Sequence, residues 1–278
     1  MPTEDAVRCS RVVKIYRAPS GEVQALQGVD ATFRSGSITA VTGPSGSGKS
    51  SLLAIVALQD RPTGGDVWIV GQDSVSMSPA RLRATRRTEV AWMAQRPTHS
   101  LFAHLSALEM LVQMAHLRRA DTSANAARER LDRVGLLSRA GARTGQLSGG
   151  EQQRLAAASA AIGNPAVIVV DEPTAELDDA SAGLVLAEFR SCAQAGSCVV
   201  MATHDQRAVQ HADRHMHLRH GVLSDDRQGT GPATVAIDAS GRLQLPEATL
   251  GLFADRRAIV EPGPDGVFIR PAPPQESS

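Results

Sequence analysis

No excess of charge of either sign is present in this sequence. Lys+Arg and Asp+Glu both number 29, so the formal net charge is zero. A balanced chain sets up no overall field for nucleic acid or anionic lipid, and such a partner would need a local patch. Long apolar runs are also missing. The most apolar stretches, Leu155–Ile162 and Ala166–Val170, fall short of the roughly 20 residues of a membrane-spanning helix. Met1–Ser10 carries Glu4 and Asp5 and no apolar core, so no secretory leader is expected there. These absences predict a soluble, cytoplasmic chain that needs a separate subunit to act on a membrane. Cysteine is rare as well: Cys9, Cys192 and Cys198 lack the CxxC spacing of a metal site. Unpaired, inert thiols in a reducing compartment are expected.

What is present changes texture along the chain. Residues 7–42 read as β-rich, with Val12–Ile15, Val23–Phe33 and Ile38–Val41 as strands; Lys49–Leu58 reads as a helix and Gly65–Val70 as another strand. From about Pro79 to Ala160 apolar residues recur at helical spacing, interrupted by a strand at Val90–Ala94. Val167–Val170, helix Asp178–Ala195, strand Cys198–Ala202 and a short helix after His204 then alternate, which predicts an α/β core with a largely parallel sheet. Ser224–Pro232 is polar and contains Gly and Pro, a linker signal. Short strand-like runs follow at Thr234–Ile237, Arg242–Leu245, Arg257–Val260 and Val267–Ile269, before a tail at Pro271–Ser278 that reads as disordered.

Three motifs carry chemistry. Gly43-Pro44-Ser45-Gly46-Ser47-Gly48-Lys49-Ser50 fits G-x-x-x-x-G-K-[ST] and lies between a strand and a helix. Its near-absence of Cβ lets backbone N–H groups wrap phosphate oxygens, and the helix N-terminus adds attraction for the anion. Lys49 would reach the β- and γ-phosphates and the Ser50 hydroxyl would ligate Mg²⁺. Val167–Val170 ends in Asp171-Glu172. Beside a phosphate loop the first carboxylate would hold Mg²⁺ and the second would polarise an attacking water. Leu147-Ser148-Gly149-Gly150-Glu151-Gln152-Gln153-Arg154 places a capping Ser at a helix start. A plain capping box explains Ser148 and Glu151 but not two glycines that weaken the helix.

That third motif resembles the signature sequence of ABC ATPases, and other positions match the family in order. Tyr16, the one tyrosine, resembles the aromatic that stacks on adenine; Gln95 resembles the Q-loop glutamine that contacts Mg²⁺. Ala175–Asp178 resembles the D-loop and His204 the switch histidine on the γ-phosphate. Ser51 stands where Thr is commoner, and Arg96–Phe102 is unusual where a membrane subunit docks. The resemblance implies a P-loop NTPase core with mostly parallel sheet, an N-terminal antiparallel β subdomain and an inserted helical subdomain at about 97–160. It makes Glu172, His204 and Lys49 catalytic, and Asp171, Ser50 and Gln95 metal-contacting. Tyr16, Gly43, Ser45, Gly46, Ser47, Gly48, Ser51, Ser148, Gly149, Gly150 and Gln152 would complete the ATP site.

The family places its phosphate loop and signature on opposite sides of one subunit, so a head-to-tail homodimer is expected around two ATP molecules. The motif set is most similar to the lipoprotein-release and macrolide-efflux branch, which implies an integral membrane permease as partner. The alternative is a regulatory ABC ATPase that drives no transport and acts by mechanotransmission. Residues 1–224 would form the ATPase domain, 225–232 a linker and 233–270 a small β-rich domain. Val235–Pro246 resembles the opening of AbrB-type regulators. Arg242, Arg256, Arg257 and Arg270 against Asp238, Glu247, Asp255, Glu261 and Asp265 leave no footprint for nucleic acid, so dimerisation is the expected role. His211 and His215 have a zinc-like spacing, but His215 and His217 alternate with Met216 and Leu218 as in a strand with one polar face.

Overall fold

The computed structural model describes residues 5–19, 21–228, 243, 245, 249, 251–253, 257–264 and 266–272. Two long strands open the chain, β1 (Asp5–Ala18) and β2 (Gly21–Arg34), paired antiparallel over nearly their whole length. With β4 (Gly64–Ile69) and β5 (Gln72–Asp73) they form a four-stranded sheet in the order β2-β1-β4-β5.

A second sheet contains β3 (Ile38–Thr42), β6 (Val90–Met93), β7 (Val167–Asp171), β8 (Cys198–Ala202), β9 (Arg214–Arg219) and β10 (Val222–Gln228), ordered β10-β9-β3-β8-β7-β6. All its pairings are parallel except that of β10 with β9. Buried on both faces, its central strands need no polar alternation, which is why Val167–Val170 and Cys198–Ala202 are continuous apolar runs. Their side chains divide by the two-residue period of a strand. Val167, Val169, Cys198, Val200 and Ala202 face a core shared with the antiparallel sheet and α1 (Lys49–Val56). Ile168, Val170, Val199 and Met201 face a second core closed by α5 (Gly149–Ala161) and α6 (Asp179–Gln194).

After α2 (Pro79–Thr88), helices α3 (Ala107–Arg118) and α4 (Ala124–Arg133) build a third core with α5 around Leu111, Leu131, Leu136 and Leu155. Helix α5 belongs to two cores: Ala156, Ala157, Ala160 and Ala161 pack towards the sheet, Leu155 and Ala158 towards the inserted helices. α7 (Gln206–His211) follows β8. The three cysteines are buried and unpaired. Burial raises the thiol pKa of Cys9 and Cys198 to about 12 and of Cys192 to about 11, so all three are inert.

One element differs from the sequence reading. β10 continues to Gln228 because Asp225–Gln228 pair with Arg214–His217, so the first four residues of the expected linker belong to a strand. Beyond it, β11 (Ala258–Gly263) and β12 (Gly266–Pro271) form an antiparallel hairpin. The expected strand at 234–237, the AbrB-like opening and the tail at 273–278 lie outside the described residues. No described helix is long and apolar enough to cross a membrane.

Candidate functional site

The loop between β3 and α1 is built by close approach. A Cβ on Gly43 would lie 2.0 Å from the Leu218 carbonyl oxygen, and one on Gly48 would lie 2.4 Å from that of Ala25. Both glycines also have positive φ, +144° and +104°, so only glycine fits at either end of the loop. Ser45, Gly46 and Ser50 are exposed and Ser51 is half-buried. The Ser47 hydroxyl is buried without a hydrogen-bond partner among the described residues. Lys49 Nζ donates to the carbonyls of Gly43 (2.7 Å) and Pro44 (3.1 Å), laying its ammonium across the loop. Among the described residues no side chain caps α1, so its first N–H groups remain for an anion. At the root of the loop, Thr42 Oγ1 lies 2.6 Å from His215 Nε2 and 3.0 Å from His217 Nδ1. The two histidines therefore serve the strand, as their alternation with buried Met216 and Leu218 indicated.

Parallel register carries the other motifs to the same sheet edge. Met93 pairs with Val170, and Asp171 with Ala202, so Gln95, Asp171, Glu172 and His204 all emerge where β6, β7 and β8 end. Ligands of open α/β sheets bind at that carboxyl edge. Asp171 is flanked by two opposing charges. Burial foremost, and then the Glu172 carboxylate, raise its pKa, while Lys49 lowers it.

Glu172 sits in left-handed backbone (φ +49°), an uncommon and costly state for a residue with a Cβ. Its N–H donates to the Ala202 carbonyl at 2.9 Å, fixing the turn. The Glu172 carboxylate accepts from His204 N–H (3.3 Å) and lies 2.8 Å from His204 Nδ1. That hydrogen bond, and then the carboxylate charge, raise the His204 pKa. Asp205 accepts from Thr174 Oγ1 at 2.6 Å and from Arg207. Arg207 in turn donates to Asp179 at 2.6 Å and towards the Leu177 carbonyl. The Arg207 bond leads the influences that hold the Asp205 carboxyl down at about 2.

Ser148 caps α5. Its hydroxyl accepts from Glu151 N–H at 3.2 Å while the Glu151 carboxylate accepts from Ser148 N–H at 2.8 Å. The capping box is real, yet a Cβ on Gly149 would meet nothing within 4 Å. No packing among the described residues requires that glycine. Gln152 Nε2 donates to the carbonyls of Thr144 (3.2 Å) and Leu147 (3.0 Å), stapling the turn before the helix. Gln153, buried, donates to the carbonyls of Glu172 (3.2 Å) and Pro173 (3.1 Å). Nothing local in the signature motif separates Gln153 from Gln152 as the residue that makes this tie. A cleft of about 650 Å³ opens between Gln95, Gly149, Gly150, Gln152 and Glu176. The phosphate loop is not part of its lining.

Tyr16 stands on β1 opposite Val23, on the strand whose Ala25 abuts Gly48. It is exposed, its hydroxyl donates to Asp60 Oδ2 at 3.2 Å, and Lys14 Nζ lies 4.9 Å from the ring centroid.

Residues 26–175 match the family model described as ABC transporter. The lipoprotein-releasing system ATP-binding protein LolD of Chromohalobacter salexigens is 39% identical over 80% of this chain and 94% of its own length. The macrolide export ATP-binding/permease protein MacB of Agrobacterium fabrum is 35% identical over 84% of this chain, which spans 36% of that protein. Among solved structures, the dimeric post-hydrolysis state of the ATP-binding cassette MJ0796 bound to ADP and Pi is 30% identical. It superposes with a TM-score of 0.75 over 81% of this chain and all of its own. Fold, motif order and these likenesses agree: the chain belongs to the ABC transporter family and is its ATP-binding, ATP-hydrolysing cassette.

Proposed function

We propose that this cassette powers an integral membrane permease by closing head-to-tail on a second copy of itself around two ATP molecules. One observation carries the reading: the glycine loop, Asp171, Glu172 and His204 share one sheet edge, while the Ser148–Gly150 turn opens on a cleft without the loop. A phosphate held by Lys49 is thus left open for a partner's helix start, and the unneeded glycine at 149 offers bare N–H groups to such an anion. LolD is an ATP-binding protein of a releasing system and MacB joins an ATP-binding part to a permease, which supports the same partner here. Association at the inner face of the plasma membrane follows from that partner.

In this reading Tyr16 abuts the adenine. Backbone N–H groups of Gly43 to Gly48 and the hydroxyls of Ser47 and Ser51 surround the phosphates, and Gln152 supports the partner-facing turn. The donor set suits Mg²⁺. That ion uses one or two carboxylates plus substrate oxygens, and no cluster of three His, Cys, Asp or Glu occurs among the described residues. Asp171, Ser50 and Gln95 would hold it, and it would neutralise phosphate charge. Glu172 takes the proton of the attacking water as the water approaches the γ-phosphate. His204 holds that carboxylate in place and donates to the transferring phosphoryl group, where Lys49 supports the developing charge.

The test is Glu172→Gln in the full chain. An ATP-bound dimer that barely turns over supports the reading, and wild-type hydrolysis would contradict it. Co-purification from membranes checks the permease, and transport by the reconstituted pair separates a transporter from a mechanotransmitter.

A further inference from the structure

Two scarce residue types meet at one carboxylate. Of the 29 basic residues only Lys14 and Lys49 are lysine, the rest being arginine, and Tyr16 is the one tyrosine. Lys49 belongs to the phosphate loop. Lys14 is buried on β1, two residues after buried Val12 and two before Tyr16. Its Nζ donates to Asp60 Oδ1 (2.7 Å) and to the Arg61 carbonyl (2.8 Å), and it stands over the Tyr16 ring. The other oxygen of Asp60 accepts from the Tyr16 hydroxyl at 3.2 Å. One carboxylate therefore grips the ammonium with one oxygen and the phenol with the other.

A buried ammonium is costly unless paired, and an aliphatic side chain would fill the same strand position without that cost. A plain core role does not account for Lys14. Nor does a bare need for positive charge, which this chain meets elsewhere with arginine. Lysine ends in a compact ammonium whose donors turn separately towards Asp60 and the Arg61 carbonyl, where arginine would bring a wide planar fork.

Asp60 is in turn fixed to the phosphate side. Its N–H donates to the Ala54 carbonyl of α1 at 3.1 Å, and α1 begins at Lys49. Three residues on, Thr63 N–H donates to the Val13 carbonyl (2.8 Å) and its hydroxyl accepts from Ile15 N–H (3.0 Å). The turn after α1 is thus bonded to β1 on both sides of Lys14.

We propose that Lys14 and Asp60 are positioning residues for the nucleotide base, holding the Tyr16 ring at a set distance from the phosphate loop so that a base stacks on it. The inference rests on the reading of Tyr16 as the adenine contact. The ring is 40% exposed, which leaves surface open to a base. A ring already held in place loses less freedom when the base lands on it. Both residues act through that ring and not on the phosphates.

The experiment compares Mg-ATP with Mg-tripolyphosphate, which keeps the phosphate chain and lacks the base. Affinities are measured by competition in the full chain for Tyr16→Ala, Lys14→Met, Asp60→Asn and the double variant Lys14→Met/Tyr16→Ala. Lys14→Met is expected to weaken ATP about tenfold, the size of a lost base stack. Tripolyphosphate should stay within about twofold of wild type, and KM should rise at unchanged kcat. The double variant should bind ATP as Tyr16→Ala does, because the clamp has nothing left to hold. Asp60→Asn, which keeps the side chain's size, should show the same pattern and supplies the readings if Lys14→Met does not fold. With labelled tyrosine the single ring resonance should move when ATP is added to wild type, and move less in Lys14→Met.

ATP and tripolyphosphate weakened alike, or losses that add in the double variant, would give Lys14 a general structural role and overturn the proposal. An unchanged ATP affinity in Lys14→Met beside a weakened Tyr16→Ala overturns it too, and leaves the adenine reading intact. A Tyr16→Ala variant that binds ATP as wild type does overturns that reading and this inference with it.

Discussion

The side-chain amide of Gln153, on the signature helix, donates to the main-chain carbonyl of Glu172, on the turn that ends β7. A second bond from the same nitrogen reaches Pro173. One buried amide thus joins the element that would meet a partner's nucleotide to the carboxylate that would act on this chain's own.

Removing that amide takes the donor from the Pro173 carbonyl and leaves the Glu172 carbonyl only the Ala175 N–H at 3.2 Å, at a cost of about 1–3 kcal/mol. Gln153→Ala is expected to lower kcat for ATP about tenfold with little change in KM, since the residue touches the turn rather than the phosphate loop. Gln153→Glu, whose carboxylate cannot donate to a carbonyl, should fail to restore it. Steady-state hydrolysis at varied ATP checks this, and an altered KM at unchanged kcat would place Gln153 in nucleotide binding instead.

The pair of Glu172 and His204 predicts a titration. Glu172 raises the His204 pKa through their hydrogen bond. The imidazole resonance should therefore titrate above the ordinary value of about 6.5, and Glu172→Gln should return it there. The sign for stability follows. The contribution is complete below the unfolded pKa and disappears as pH rises through the raised folded one. A His204 that titrates identically in both proteins would break the assignment. Loss of the general base should also cut turnover by about 10²–10³-fold.

Asp205 behaves in the opposite sense. Its folded pKa is held at about 2, chiefly by Arg207, below the unfolded value near 3.8. Its contribution is present above the unfolded value and is lost as pH falls from there towards 2. With a side chain 16% exposed, the shift corresponds to about 1–2 kcal/mol at neutral pH. Asp205→Asn should cost that much in denaturant unfolding at pH 7, and much less at pH 2.

Gly48→Ala tests the loop. The new methyl would meet the Ala25 carbonyl at 2.4 Å in a left-handed backbone. Nucleotide binding should fall at least a hundredfold, and thermal unfolding should drop by several degrees. Gly46→Ala, where a Cβ meets nothing, should keep the fold and pay mainly in its positive φ of +75°.

Much of this was legible beforehand because the chemistry dictates residue type. The glycine loop, the acidic strand end and the capped double glycine each stand where the sequence placed them, and Cys198–Ala202 is a strand to the residue. Contacts across the chain were not legible. Nothing local marks Gln153 as reaching Glu172, or Thr174 as reaching Asp205, since those bonds exist only after β7, β8 and α5 pack together. The continuation of β10 to Gln228 was hidden for a related reason. Its polar residues are tolerated at a sheet edge, where Arg214 pairs with Asp226. The pairing of Ala258, Val260 and Pro262 with Pro271, Ile269 and Val267 likewise needs a register, which periodicity alone does not supply.

Helix α5 presents alanines to one core and Leu155 to another. Small side chains make a nearly smooth surface with few interlocking ridges, so this seam resists sliding less than a knobbed one. What registers the inserted helices on the core is therefore polar: Arg130 on α4 pairs with the buried Glu188 on α6, and Arg133 donates to Ser191. Gln153, whose bonds reach the turn beneath, adds a buried tie from α5 to Glu172.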